Sequence, residues 1–369
     1  MNLGAVVNRL KSLFSRKLSG VGIELTPERI NIVQLKKQRQ KLKLQTFATA
    51  AVPEGVFQEG QIIDSLTMAD IIQETLAEHR INVTDVATAI PARAVTRLVL
   101  VPAELDDNEL REMVLNQEAS LYLPFPRDEA DVDYQKVGYA VDDDGSEKVK
   151  VLLVGVRKEI TDSYIETFAQ AGLDLDILET SSFALIRTIR DQLRQFTSQE
   201  AVVVVDIQFE STEISIVVEG VPLFSRAVPL GTFQIQSALR RAMNLPPSRN
   251  TELLQELSIL ATSTAGEPGD VRNPGTAAVL RVVSELADEL RRSIDFYLSQ
   301  GEDIEVVQVV LAGPGGSISN LDEFLSQRLG LPTSVIDPVD SLTIEIDKES
   351  LPTQRSGLAT VFGLGLREV

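Results

Sequence analysis

Two acids stand where this sequence most readily suggests chemistry. Asp206 closes the apolar run "VVVVD" (202–206), and Glu24 closes "VGIE" (21–24). A short polar stretch follows each, then a run with apolar residues at every other position, the pattern of strand, turn and strand. Ser211 and Thr212 sit at the second turn. Carboxylates and hydroxyls so placed suit a hard divalent cation, held through water, beside a phosphate. The same residue types are also ordinary turn formers, which is the plainer reading. Near the end, "LAGPGGSISN" (311–320) places Gly313, Gly315 and Gly316 between an apolar strand and a helix, with Ser317 or Ser319 as its candidate cap. Such a turn lets backbone approach a ligand closely, and the amides of a helix start favour anions.

Composition narrows the other possibilities. The chain has 369 residues, 43% hydrophobic and 24% charged, enough for a sizeable core and for two or three domains. A net charge of −19 argues against nucleic-acid binding, which needs a basic surface. With no cysteine, disulfides, zinc–thiolate sites and a Cys nucleophile are excluded, as suits a reducing compartment. The single histidine, His79, lies beside Arg80 in a helix-like stretch and reads as a surface residue, which counts against a Ser-His-Asp triad. No apolar run reaches the roughly 18–20 residues of a membrane span. Over 1–19, Leu3, Val6, Val7, Leu10, Leu13 and Phe14 recur at helical spacing, and Arg9, Lys11, Arg16 and Lys17 are the only charges. This basic amphipathic helix suits docking on an anionic membrane or on a partner; packing on its own domain is the alternative.

The elements around the acids repeat. At an offset of 206 − 24 = 182, Glu24 falls on Asp206, Thr26 on Gln208 and Ile32 on Ile214, close to half the chain. Both units lead through a further strand into a stretch of helical spacing, "SLTMADIIQETLAEH" and "TFQIQSALRRAM". The pattern predicts two α/β domains facing each other across a cleft, with one turn on each lip. From 86 to 176 strands and helices alternate around a "DDDG" turn (142–145), enough for a small α/β insertion, and 262–275 reads as an irregular excursion.

"VPEGVFQEGQIID" (52–64), "AIPARAVTRLVLVP" (89–102), "ASLYLPFPRDEADVDYQ" (119–135), "LRRSIDFYLSQ" (290–300) and "ATVFGLGLRE" (359–368) join these motifs. With them the chain resembles the PilM-like type IV pilus assembly family, relatives of FtsA within the actin, Hsp70 and sugar-kinase superfamily. The resemblance implies an α/β actin-like (Hsp70/FtsA-type) two-domain fold with an interdomain nucleotide cleft and an inserted 1C-like subdomain. Domain 1 would span 20–85, 177–200 and the return at 357–369, the insertion 86–176, and domain 2 201–356. It implies ATP and Mg2+ in the cleft. Glu24, Thr26, Asp206, Ser211, Thr212, Gly231, Glu252, Gly313, Gly315, Gly316 and Ser317 would face the nucleotide, and Glu24 and Asp206 the metal through water. The match is uneven: Gln208 stands where the family prefers glycine, and Leu254 falls near an expected lysine. At most a weak ATPase is expected. The resemblance further implies a scaffold on the cytoplasmic face of the inner membrane. It would bind the N-terminal peptide of PilN between the first domain and the insertion and link to the motor ATPases, with Tyr122, Pro124 and Phe125 as peptide contacts. An FtsA-like filament or a small-molecule kinase are the rival readings.

Overall fold

A computed structural model describes residues 19–38, 41–91, 93–142, 145–254, 257–259, 274–299, 304–346 and 351–368. The N-terminal docking residues Leu3 to Phe14 lie outside them. The first sheet opens with three antiparallel strands, β1 (Ser19–Leu25), β2 (Arg29–Gln38) and β3 (Lys41–Ala51). After the short ribbon β4 (Phe57–Gln58) and β5 (Gln61–Ile62), helix α1 (Ser65–Glu78) leads to β6 (Asp85–Ile90). β6 runs parallel to β1, and β10 (Asp174–Thr180) runs parallel to β6, giving the order β10-β6-β1-β2-β3.

Both faces of this sheet are apolar because both are covered. Val21, Ile23 and Ile32 meet Met68 and Ile72 of α1 and Tyr164 and Phe168 of α2 (Lys158–Gln170) on one side. Val33 and Leu35 meet Val361 and Phe362 of the C-terminal helix (Ala359–Gly365) on the other, and Ala87 and Ala89 meet Ala184 of α3 (Ser181–Thr188). Leu364 and Phe362 of the C-terminal helix pack on the first sheet.

The second sheet repeats the plan. β11 (Glu200–Ile207), β12 (Thr212–Val218) and β13 (Val221–Val228) form the antiparallel meander; β14 (Glu305–Ala312) lies parallel to β11, and β15 (Thr333–Val335) parallel to β14. The order β15-β14-β11-β12-β13 is that of the first sheet, strand for strand. Register supports the offset: Glu24 pairs with Asn31 in the first hairpin, and Asp206 with Glu213 in the second. Helices α4 (Thr232–Ala242) and α5 (Pro274–Leu298) bury Ile235, Leu239, Val283, Leu286 and Leu290 against Val203, Val205, Ile214 and Ile216.

The stretch 86–176 contains elements of two sheets. β6, α2 and β10 belong to the first lobe, because β6 and β10 complete its parallel half. What lies between is β7 (Val95–Pro102), a helical segment over 107–122, β8 (Ala130–Val141) and β9 (Glu147–Arg157), with its own core of Val99, Val101, Leu110, Val114, Val149 and Val151. β7 touches β13 through the single pair Phe224–Arg97, so this unit extends the second sheet and leaves β8 as its outermost strand. Sequence alternation could not separate these strands from β6, since strands look alike whichever sheet they join.

Candidate functional site

The two hairpin turns and the glycine turn meet between the lobes. Each acid ends a buried strand, and burial decides its state. Asp206 is 3% exposed, and loss of solvent raises its carboxyl from 3.8 to about 7, with the facing Glu213 pushing the same way. Glu24 is raised from 4.5 to about 8, again chiefly by burial, and the Asp206 charge adds to it.

The partners of these acids are internal. Asn31 Nδ2 donates to Glu24 at 3.0 Å. Gln208 Nε2 donates to both Asp206 oxygens, at 2.9 and 3.1 Å. The Gln208 side chain, at a position where glycine is the expectation, therefore does more than crowd the turn: it folds back and caps the acid. Glu213, not singled out by sequence reasoning, is buried opposite Asp206 and accepts from Ser181 at 3.0 Å and Ser225 at 3.1 Å. Its signal was the repeat, since 31 + 182 = 213 puts it on the position of Asn31. Among the described residues no group of three or more His, Cys, Asp or Glu side chains is arranged to hold a metal ion.

The expected ligand hydroxyls are also engaged. Thr26 closes its own turn, donating to Arg29 O at 2.7 Å and accepting the Arg29 N–H at 3.1 Å. Thr212 Oγ1 donates to Leu230 O at 2.6 Å. Ser317 does not cap the following helix; its hydroxyl lies 2.5 Å from that of Ser356, and Asn320 occupies the cap position of the helix at 321–329. Ser211 lines a space of about 40 Å³ between the two turns, together with Thr26, Pro27, Gln208 and Phe209. Gly231 precedes α4 and gives its N–H to Gln234 at 2.8 Å. The side chain of Glu252 lies outside the described residues.

Gly313 and Gly315 are required by packing. Gly313 has φ +74°, and a Cβ there would lie 2.4 Å from Ile207 O and 2.6 Å from Asp206 Oδ1. A Cβ on Gly315 would lie 2.3 Å from Ile207 Cγ2. Gly316 is less confined, its nearest neighbour at 3.2 Å. Contacts from one lobe to the other complete the site. Arg249 donates to Pro27 O at 2.9 Å and lies over the Phe209 ring, Thr251 donates to Glu28 at 2.9 Å, and Glu210 accepts the Glu59 N–H at 2.8 Å.

A larger concavity than the space between the turns lies elsewhere. A groove of about 540 Å³ runs along β8, between β9 and the first lobe, lined by Val132, Tyr134, Leu152, Val154, Leu178 and Phe183. At its edge Glu179 is 8% exposed and accepts from Arg187 at 2.6–2.7 Å and from Arg367 at 2.6 Å. Tyr122, Pro124 and Phe125 do not line it. Phe125 packs on the core of the β7–β9 unit with Arg157 over its ring, while Tyr122 and Pro124 are exposed beside it.

A family model of the type IV pilus assembly protein PilM matches residues 22–369. Among solved structures, a PilM–PilN type IV pilus biogenesis complex is similar over 95% of this chain and 98% of that one, with a TM-score of 0.80 and 24% identity. The ethanolamine utilization protein EutJ from Carboxydothermus hydrogenoformans is similar over 98% and 96%, with a TM-score of 0.55 and 16% identity. MreB 5 of Spiroplasma citri is similar over 94% and 95%, with a TM-score of 0.53 and 11% identity. These likenesses establish the fold as actin-like, and the match over almost the whole sequence places the chain in the PilM family of type IV pilus assembly proteins.

Proposed function

We propose that the chain is a scaffold of the pilus assembly platform, and that its groove along β8 binds the N-terminal cytoplasmic peptide of a PilN-type membrane protein in extended form. The groove itself carries this reading. It is lined largely by apolar side chains and runs beside β8, the outermost strand of its sheet among the described residues, whose edge can pair with added main chain. The arginines that converge on Glu179 fix the groove wall. Such a scaffold sits on the cytoplasmic face of the inner membrane, held by its peptide partner and by the basic segment before residue 19, and relays the platform to the motor ATPases. No helix among the described residues is long and apolar enough to cross a membrane. ATP and Mg2+ play no part in this reading.

The test is the affinity of a labelled PilN N-terminal peptide, followed by fluorescence anisotropy. Leu178→Glu puts a charge into the apolar wall and is expected to weaken binding by at least tenfold, about 1.4 kcal/mol. Phe125→Ala is expected to leave it unchanged. Equal affinity for Leu178→Glu and the unaltered protein would exclude this groove.

A further inference from the structure

ATP and a divalent cation, expected in the cleft of an actin-like fold, do not fit the residues that form it here. A triphosphate needs free N–H donors, and a cation needs free carboxylate oxygens. Pro27 and Pro314 have no N–H to give. The Arg29 N–H is held by Thr26, and that of Gln208 by Ser211 O at 3.0 Å. The first amides of α4 are spent in the same way: Thr232 N–H goes to Gln208 O at 2.9 Å and Phe233 N–H to Phe209 O at 3.0 Å. Both oxygens of Asp206 are held by Gln208, and one oxygen of Glu24 by Asn31. The space between the turns, about 40 Å³, has room for a water but not for a phosphate chain.

We infer that the cleft is a clasp made by the protein alone: Gln208 takes the place of a cation on Asp206, and Arg249, Thr251 and Glu210 tie the two lips directly. The lobes are thereby held in one relative position by side chains from both, with no ligand between them. Among the described residues, contacts to Pro27, Glu28, Glu54 and Glu59 cross the gap from Glu210 and the loop at 249–251. This goes beyond the scaffold reading and does not depend on it, since the groove along β8 shares none of these residues.

The full chain is titrated with a fluorescent ATP analogue, with and without Mg2+. No saturable binding below about 100 μM is expected, and Mg2+-dependent binding tighter than that overturns the inference. In parallel, hydrogen exchange is followed in the turns at 24–31 and 206–213 for Arg249→Ala and for the milder Thr251→Val. Losing a tie is expected to speed exchange in both turns about 3- to 10-fold, the effect of one net hydrogen bond. Circular dichroism and PilN-peptide affinity should stay unchanged. Unaltered exchange in folded Thr251→Val would show that the turns are not clasped, whatever the peptide does.

Discussion

Replacing Asp206 by Asn removes a charge from the most confined carboxyl of the cleft, and the outcome follows from its surroundings. Its titration lies near 7 in the folded chain, against 3.8 in the open. Between these values the folded protein holds a proton that the unfolded chain has released, so stability falls as pH rises through this window and levels off above it. The ionised form is then disfavoured in the fold by on the order of 4 kcal/mol, at about 1.4 kcal/mol per decade. Asn removes that cost at pH 8. It also exchanges a carboxylate that accepts twice from Gln208 for a single carbonyl, at a loss of about 1 kcal/mol. The variant should therefore be more stable than the unaltered protein by roughly 3 kcal/mol at pH 8 and within about 1 kcal/mol of it at pH 5. Urea unfolding midpoints at the two pH values read both numbers. Glu24 remains in both proteins, and losing the Asp206 charge eases its ionisation as well, which acts in the same direction at pH 8. If the unaltered protein were equally stable at pH 5 and 8, and Asp206→Asn destabilised it at both, the carboxyl would be ionised and held by charge, and the reasoning from burial would be refuted.

Three further outcomes follow from the same contacts. Gly313→Ala forces a Cβ onto Ile207 O and Asp206 Oδ1 at positive φ, and should cost about 2–4 kcal/mol in unfolding free energy; an unchanged melting temperature would contradict the packing described. Glu179→Gln leaves Arg187 and Arg367 without their shared carboxylate. It should lower stability by about 3 kcal/mol and weaken PilN-peptide binding, measured by thermal unfolding and anisotropy. Removing residues 1–18 should abolish sedimentation with vesicles of anionic lipid while leaving peptide affinity intact; retained sedimentation would place membrane attachment elsewhere.

The duplicated architecture was legible because its signal is local and repeated. Two acid-tipped strands at a fixed offset, each followed by alternation, give the same five-strand order twice. The departure at Gln208 was legible too, but not its consequence: sequence shows a missing glycine, whereas only the folded turn shows the side chain bent back onto Asp206. Arg249 and Thr251 lie in "PPSRNTE", a loop with no periodicity, and their partners Pro27 and Glu28 are more than 220 residues away. The groove was hidden for the same reason. Val132 and Tyr134 of β8 reach Leu178 and Phe183 only because β10 rejoins the first lobe after the intervening unit. "YLPFP" attracted attention by its aromatic and proline content, yet Phe125 serves the core of its own unit.

A PilN N-terminal peptide carrying a photoreactive benzophenone at one apolar position can be crosslinked to the full chain and the product mapped by mass spectrometry. Crosslinks to 131–137 on β8 and to 178–183 across the groove are the predicted result. Crosslinks at 122–125, in the cleft between the hairpin turns, or at neither place would contradict it.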